Sequence, residues 1–465
     1  MGDQQEARRA RVRFSVVFAV HGAVTGTFVT RIPWVQHHLH LNAGQLGIAL
    51  LAPAVGAFLA MPLAGHLAHR YGPRAAVRAL MASWCLSLAL PALAPDLLLL
   101  WSALFLYGAT SGMAAVQLNA QGVEVERRLG RSIMSGLHGM WSAGGLVASG
   151  FGVLAANQQV DARIQLAVTS LALTVLAVLA CNGLVDARAD QRADARPAAG
   201  QKAGQKAGPD AGPGAGPDTE RSPRREAPPR FALPPRSALA IGLVGFCAVF
   251  AEGASMDWAG VYLRDVTGAS PGIAAASFTA FAATMTAARL SGDLAVRRLG
   301  PVRTVRAGGA VATLGGLLVI STGSPYLAIP GFGLIGIGIA VVVPLAFAAA
   351  GRTADPSRAI AGVATITYTA SLSAPAAIGL IAQSVSLTAS FALVAVLTAA
   401  LVGTAGALRQ NSTAPHHRVA ARGGSTSGNV VNATARGTSA AKAGAEPTGA
   451  EPTGRAGSAS PGSTG

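Results

Sequence analysis

The stretch Gly65-His66-Leu67-Ala68-His69-Arg70-Tyr71-Gly72-Pro73-Arg74 occurs a second time, 227 positions later, as Gly292-Asp293-Leu294-Ala295-Val296-Arg297-Arg298-Leu299-Gly300-Pro301, with one residue inserted. Each copy is a short, basic, glycine-bounded turn between two long apolar runs. Other residues share the offset: Trp141 with Tyr368, Gly152 with Gly379, Arg131 with Arg358. The loop and the runs around it are therefore duplicated. A copy that returns its loop to the same side needs an even number of crossings per unit, which is the parallel-repeat plan known among transporters.

The flanking runs have the length to cross a bilayer. Twelve apolar stretches stand at roughly 12–35, 43–65, 77–95, 97–120, 132–155, 164–185, 237–262, 271–291, 305–322, 327–350, 359–382 and 386–408, near the ~20 residues that span a ~30 Å hydrocarbon core as helix. Half of the residues (51%) are hydrophobic and only 12% are charged, with a mean hydropathy of +0.45; a soluble domain carries about 25% charged residues. The expected fold is an all-α membrane protein. Its twelve transmembrane helices form two six-helix bundles, 12–185 and 237–408, related by a pseudo-two-fold axis along the membrane normal. Residues 1–11 form an N-terminal segment. The linker 186–236, rich in Ala, Gly, Pro and Arg and carrying a tandem Gly-Gln-Lys-Ala at 200–207, cannot bury a core and is expected to be disordered, as is the tail 409–465.

The basic residues test this count. The net charge is +16, but the positive side chains occupy short loops and the two low-complexity segments without building a folded basic face, so nucleic acid is not an expected partner. With the N-terminus cytoplasmic, 33 of the 36 Lys and Arg fall on the inner side and only Arg31, Arg163 and Arg264 toward the outside. This is the positive-inside pattern, and it puts both termini in the cytoplasm. Arginine dominates over lysine, as in a GC-rich bacterial genome, so the expected location is a bacterial inner membrane. Cys85, Cys181 and Cys247 are far apart and lack metal-ligand spacing, so no metal site is expected. No Gly-x-x-x-x-Gly-Lys-Ser/Thr loop occurs, which argues against ATP-driven pumping by this chain. No nucleophile–base arrangement points to an enzyme, and no cofactor is implied.

At the loop Gly65-x-Leu67-Ala68-x-Arg70-x-Gly72-x-Arg74 the chain resembles the Major Facilitator Superfamily, and the resemblance covers both bundles. Three further strings resemble a bacterial branch related to fucose-type sugar permeases: Asn119-Ala120-Gln121-Gly122, Leu137-His138-Gly139-Met140-Trp141-Ser142, and Glu252-Gly253-Ala254-x-x-Asp257-Trp258. The resemblance implies alternating access, with Gly65, Arg70, Gly72 and Arg74 in one conformational-switch loop and Arg289, Gly292, Asp293 and Arg297 in its repeat. The superfamily loop carries Asp where this chain has His69; either that interface contact is made differently here, or Asp293 in the second copy carries more of it. Span 5 lacks the Gly-Pro pair typical of drug/proton antiporters.

An ionisable side chain inside a membrane helix costs several kcal/mol and faces a cavity or a partner. Glu252, roughly 22 Å into the seventh span by helical rise, is the leading proton-coupling candidate; the alternative is a carboxyl bonded to a neighbouring helix. Asp257 and Arg31, both near the outer mouth, are expected to form an ion pair between the halves that holds the outward gate closed, or else each faces water or headgroups. His21 and His138 either relay protons and bind ligand or donate to backbone carbonyls. Arg289 and Asp293, four apart, are placed for a pair along one helix. Gln117, Asn119 and Gln121 suit a polyhydroxy ligand or bond helix to helix. Trp141 and Tyr368, at repeat-equivalent positions, are expected cavity walls. Trp258 and Tyr262 are cavity candidates whose position also fits an interfacial aromatic belt. Pro344 and Pro375 are expected to kink the tenth and eleventh spans.

The function expected from these residues is secondary active transport of a small polar solute, such as a sugar or related metabolite, coupled to protons. Drug or metabolite efflux and a transport-inactive sensor are the alternatives. The expected partners are the lipid bilayer, a small-molecule substrate and protons, with the chain acting as a monomer.

Overall fold

The computed structural model describes residues 2–129, 133–182 and 236–409. The chain divides into two compact units at Asn411/Ser412, and all described residues lie in the first. The expectations for the linker and the tail therefore fall, except at Arg236 and Arg409, outside the described residues, as does Arg131.

The described residues form helices and no strand. Twelve stretches are long and apolar enough to cross a membrane: span 1 (Arg11–His38), span 2 (Ala43–Tyr71), span 3 (Pro73–Leu93), span 4 (Leu97–Arg127), span 5 (Gly136–Asn157), span 6 (Ala162–Cys181), span 7 (Ala238–Asp265), span 8 (Pro271–Leu299), span 9 (Pro301–Ser321), span 10 (Pro325–Ala350), span 11 (Pro356–Ser384) and span 12 (Leu387–Leu408). Leu98 and Leu290 are about three-quarters exposed, which in a bilayer means contact with lipid tails rather than water.

Local chemistry sets the ends of these helices. Span 2 starts with a capping box: Gln45 N–H donates to Asn42 Oδ1 at 2.8 Å and Asn42 N–H to Gln45 Oε1 at 3.0 Å, satisfying two otherwise orphan donors. The duplicated loop is one backbone device used twice. Gly72 and Gly300 take φ of 88° and 76°, a region open to glycine. The N–H of each bonds back to the preceding helix, at Ala68 and Val296, and a proline starts the next helix at once.

The two halves repeat the same packing. Span 1 lies on span 5 as span 7 lies on span 11. Spans 2 and 4 pair as do 8 and 10, and spans 3 and 6 as do 9 and 12. Between the halves, span 5 packs on span 8 and span 2 on span 11, and exchanging the halves turns one of these contacts into the other. Aromatic clusters seal each half: Phe28, Trp84 and Tyr107 in the first, with Trp84 and Tyr107 centroids 4.1 Å apart, and the edge-to-face trio Tyr262, Phe332 and Phe391 in the second.

The halves close against each other on the face opposite the Gly72 and Gly300 turns. There a Cβ on Gly47 would lie 2.9 Å from the Pro375 carbonyl and 3.0 Å from the Gly379 Cα, so only glycine allows this approach. Gln36 donates to Asp265 at 3.1 Å and His37 pairs with it at 3.3 Å. Deeper in the interface, Thr279 Oγ1 bonds Ser149 Oγ at 3.1 Å. On the turn face, by contrast, Gly65, Gly136 and Gly139 look onto open space. The halves are thus joined at one face and parted at the other.

Pro375 sits inside one uninterrupted helix, Pro356–Ser384, so span 11 is kinked at most without a break. Span 10 is broken: its helix ends at Ile339 and resumes at Val342. The cause is Pro344, which has no N–H to donate to the carbonyl four residues back, that of Ala340.

Candidate functional site

The freed Ala340 carbonyl leads to the site. Arg289, ten residues before the end of span 8, donates its Nε to it at 3.3 Å. The same guanidinium donates Nη2 to Glu252 Oε1 of span 7 at 3.0 Å. One arginine thus ties spans 7, 8 and 10 together. Gly292, one turn further along span 8, lets the helix press against Val341 at the break. The expected pair along span 8 is not made: Arg289 reaches across to Glu252, and Asp293 is exposed and makes no ion pair among the described residues. The helix runs on to Leu299, which places Arg289 about 15 Å inside its end, where the half-buried Glu252 carboxylate is nearer than headgroup or water.

Glu252 and Arg289 line a cavity of about 40 Å³ between the halves. Thr25, Trp141 and Ser142 face them from spans 1 and 5, with Met256, Phe278, Phe281 and Met285 completing the wall. Thr25 is the repeat equivalent of Glu252 at the 227-residue offset, a correspondence that would have brought it forward from sequence. Room for one water takes about 10–15 Å³, so this cavity admits a few waters and is smaller than a sugar ring.

His21 holds the cavity wall. Trp141 Nε1 donates to His21 Nδ1 at 3.0 Å, so Nδ1 is unprotonated and the ring proton belongs on Nε2, which faces the Ser111 carbonyl at 3.5 Å. This is the neutral, backbone-bonded histidine, placed to fix Trp141. His138 Nε2 meets Asn119 Oδ1 at 3.2 Å, and its ring lies edge-on to Phe18. Among the amides, Gln117 donates to the Ala64 carbonyl at 2.8 Å and Gln121 to the Pro73 carbonyl at 2.6 Å. Both clamp span 4 to span 2 and its turn, Asn119 bonds His138, and none of the three amides lines the cavity.

The other candidates separate. Arg31 does not pair with Asp257. The break between Val29 and Ile32 in span 1 swings Arg31 into its own half, where Nε donates to Gln165 at 2.5 Å and Nη2 to the Val160 carbonyl at 3.1 Å. Asp257 makes no ion pair among the described residues and lies within electrostatic reach of Tyr107 in span 4. Trp258 and Tyr262 are fully buried in the second half, with the Tyr262 hydroxyl donating to the Val319 carbonyl at 2.9 Å. They are neither cavity walls nor interfacial belt, because both side chains are packed inside the second half. Tyr368 meets Phe58 and Met61 of span 2 across the halves, so it does not share the surroundings of its repeat partner Trp141. In the switch loops, Arg70 lies 5.4 Å from the Tyr71 ring centroid, Arg74 is half-buried, and Gly65 and Arg297 are exposed. Among the described residues no His, Cys, Asp and Glu cluster is arranged for a metal ion.

Comparison with known proteins agrees with this architecture. The chain is 31% identical over 396 residues to an uncharacterized transporter, y4wD, of Sinorhizobium fredii, covering 84% of this chain and 96% of that one. It is 33% identical over 400 residues to an uncharacterized MFS-type transporter of Yersinia pestis, covering 86% and 95%. Among solved structures it superposes on the nucleoside transporter NupG with a TM-score of 0.64 at 11% identity, covering 86% of this chain and 98% of that one. The D-xylose-proton symporter gives 0.62 at 11% identity, covering 86% and 96%. These last two share the fold. The Major Facilitator Superfamily profile matches residues 14–368, and with twelve spans in two like-oriented halves this chain belongs to the Major Facilitator Superfamily, a multi-pass membrane transporter and not an enzyme.

Proposed function

We propose that this chain is a proton-coupled secondary transporter of a small polar solute, a sugar or related metabolite, working by alternating access in a bacterial inner membrane with both termini cytoplasmic. The observation that carries the reading is the Glu252–Arg289 pair at the cavity between the halves. A carboxylate paired with a fixed cation is a proton switch with a mechanical output. Protonation of Glu252 removes the charge that holds Arg289, and Arg289 also anchors the break in span 10. Loading or losing one proton therefore changes how spans 7, 8 and 10 pack. Trp141, held by His21, offers an aromatic face for a ring-shaped ligand, and Thr25, Ser142, Glu252 and Arg289 in the cavity lining offer partners to a solute with hydroxyls. The resemblance of Asn119–Gly122, Leu137–Ser142 and Glu252–Trp258 to fucose-type permeases supports the same substrate class, as do the nucleoside and xylose carriers among the fold neighbours.

In this arrangement the turn face is cytoplasmic, and the parted halves leave the site open inward. The test is a thermal-shift screen of the purified protein against sugars, nucleosides, sugar acids and drugs, followed by proteoliposome uptake of the stabilising compound. Wild-type uptake is expected to vary with pH and Glu252→Gln to lose that dependence while keeping a hydrogen bond to Arg289. Unchanged pH dependence in Glu252→Gln removes Glu252 from the coupling step.

A further inference from the structure

A second cavity, of about 80 Å³, lies at the closed face, where spans 1 and 5 of one half meet spans 7 and 8 of the other. Arg31, Arg264 and His37 line it, with Thr30 and Trp34 beside them. Arg31 is 97% buried, its residue only 3% exposed. Its guanidinium is held by neutral acceptors alone, Gln165 and the Val160 carbonyl. Arg264 likewise bonds a carbonyl, that of Ala269, at 3.0 Å. Among the described residues no carboxylate stands within ion-pair distance of either. Asp265 binds Gln36 and His37, and Asp161, which caps the Arg163 N–H at 2.7 Å, acts on Arg31 only through its longer-range field.

Two guanidiniums facing one cavity from opposite halves repel each other, and burying Arg31 with only the more distant charge of Asp161 to offset it is costly. Five N–H donors on each offer a fork suited to a planar or tetrahedral oxyanion, and two of those on Arg31 are used in the contacts above. We infer that this cavity is a binding site for a small free oxyanion, a carboxylate or inorganic phosphate, which bridges Arg31 and Arg264 and holds the two halves together at this face. The two cationic side chains set the ligand class, and the cavity accommodates an anion of a few heavy atoms. The site is separate from the Glu252–Arg289 cavity and does not depend on the substrate read there.

The probes are inorganic phosphate and acetate, titrated against full-length protein in detergent at constant ionic strength made up with chloride. The readout is the unfolding midpoint, followed by a thiol dye, since Cys85, Cys181 and Cys247 are all buried. A saturable upward shift is expected in the wild type, and its loss in both Arg31→Gln and Arg264→Gln. Arg163→Gln, at the same face but outside the cavity lining, should keep the shift. Arg264 is only half-buried, so its variant remains informative even where Arg31→Gln fails to fold. A parallel arm adds phosphatidylglycerol in mixed micelles. A shift with the lipid alone assigns the site to headgroups and overturns the proposal. No shift with either free anion, or one that survives in Arg264→Gln, overturns it as well.

Discussion

At the residue scale, the site depends on which neutral and charged partners each side chain takes. The Trp141–His21 bond is one hydrogen bond between membrane helices, worth about 0.6 kcal/mol on average. Trp141→Phe should therefore keep the cavity wall and weaken substrate by about threefold, read as KM in proteoliposomes. His21→Ala should do the same, and the double variant should be no worse than either single one. Additive losses would show that the two side chains act separately. Glu252→Ala is a harsher change than Glu252→Gln, because it leaves Arg289 without its counter-charge, and solvent screening of this half-buried pair keeps the loss below the several kcal/mol of a fully buried one. It should lower the unfolding midpoint, while Glu252→Gln should lower it less.

At the scale of the element, span 10 shows how one residue reshapes a helix and its neighbour. Pro344 frees the Ala340 carbonyl and Arg289 takes it. Pro344→Ala restores the missing N–H, so the helix should close through 340–344. Amide exchange in that segment should slow, and transport turnover should fall as Arg289 loses one of its two anchors. Unchanged exchange would show that the break has another cause. In span 7 the Tyr262 hydroxyl bonds the Val319 carbonyl within an aromatic trio. Tyr262→Phe should cost about 1 kcal/mol, and Phe391→Ala about 3–5 kcal/mol, both measured by thermal unfolding, without altering substrate selectivity. Sequence and structure agree where chain geometry decides: the glycine-bounded turns at Gly72 and Gly300 are local effects, and the expected kink at Pro344 is in the structure a break. They part on direction. In a bilayer every face of a helix can be apolar, so no 3.6-residue periodicity marks which side faces the cavity. For that reason the sequence points Trp258 and Tyr262 to a cavity or a belt, whereas they are packed inside the second half, and of the two readings open for Gln117 and Gln121 the structure shows the helix-to-helix bonds. Arg31 and Arg289 have long side chains whose reach lets them choose among several partners, and sequence spacing does not select one.

At the scale of the whole molecule, two like-oriented halves meet through spans 5 and 8 on one side and 2 and 11 on the other. The repeat of one loop and the placement of arginine were enough to read this plan, because both follow from the even number of crossings. The state of the halves, joined beside Gly47 and Gly379 and parted beside Gly65, depends on contacts between residues hundreds of positions apart and left no trace in either repeat. The account's central claim is that these faces open in turn under the control of Glu252. Pulsed electron-electron resonance on two spin-label pairs, one at His40 and Val385 on the closed face and one at Tyr71 and Ile360 on the parted face, measures this without a known substrate. Across a pH series the two distances should change in opposite senses in the wild type and stay fixed in Glu252→Gln. Distances that change together, or that respond to pH equally in Glu252→Gln, would contradict it.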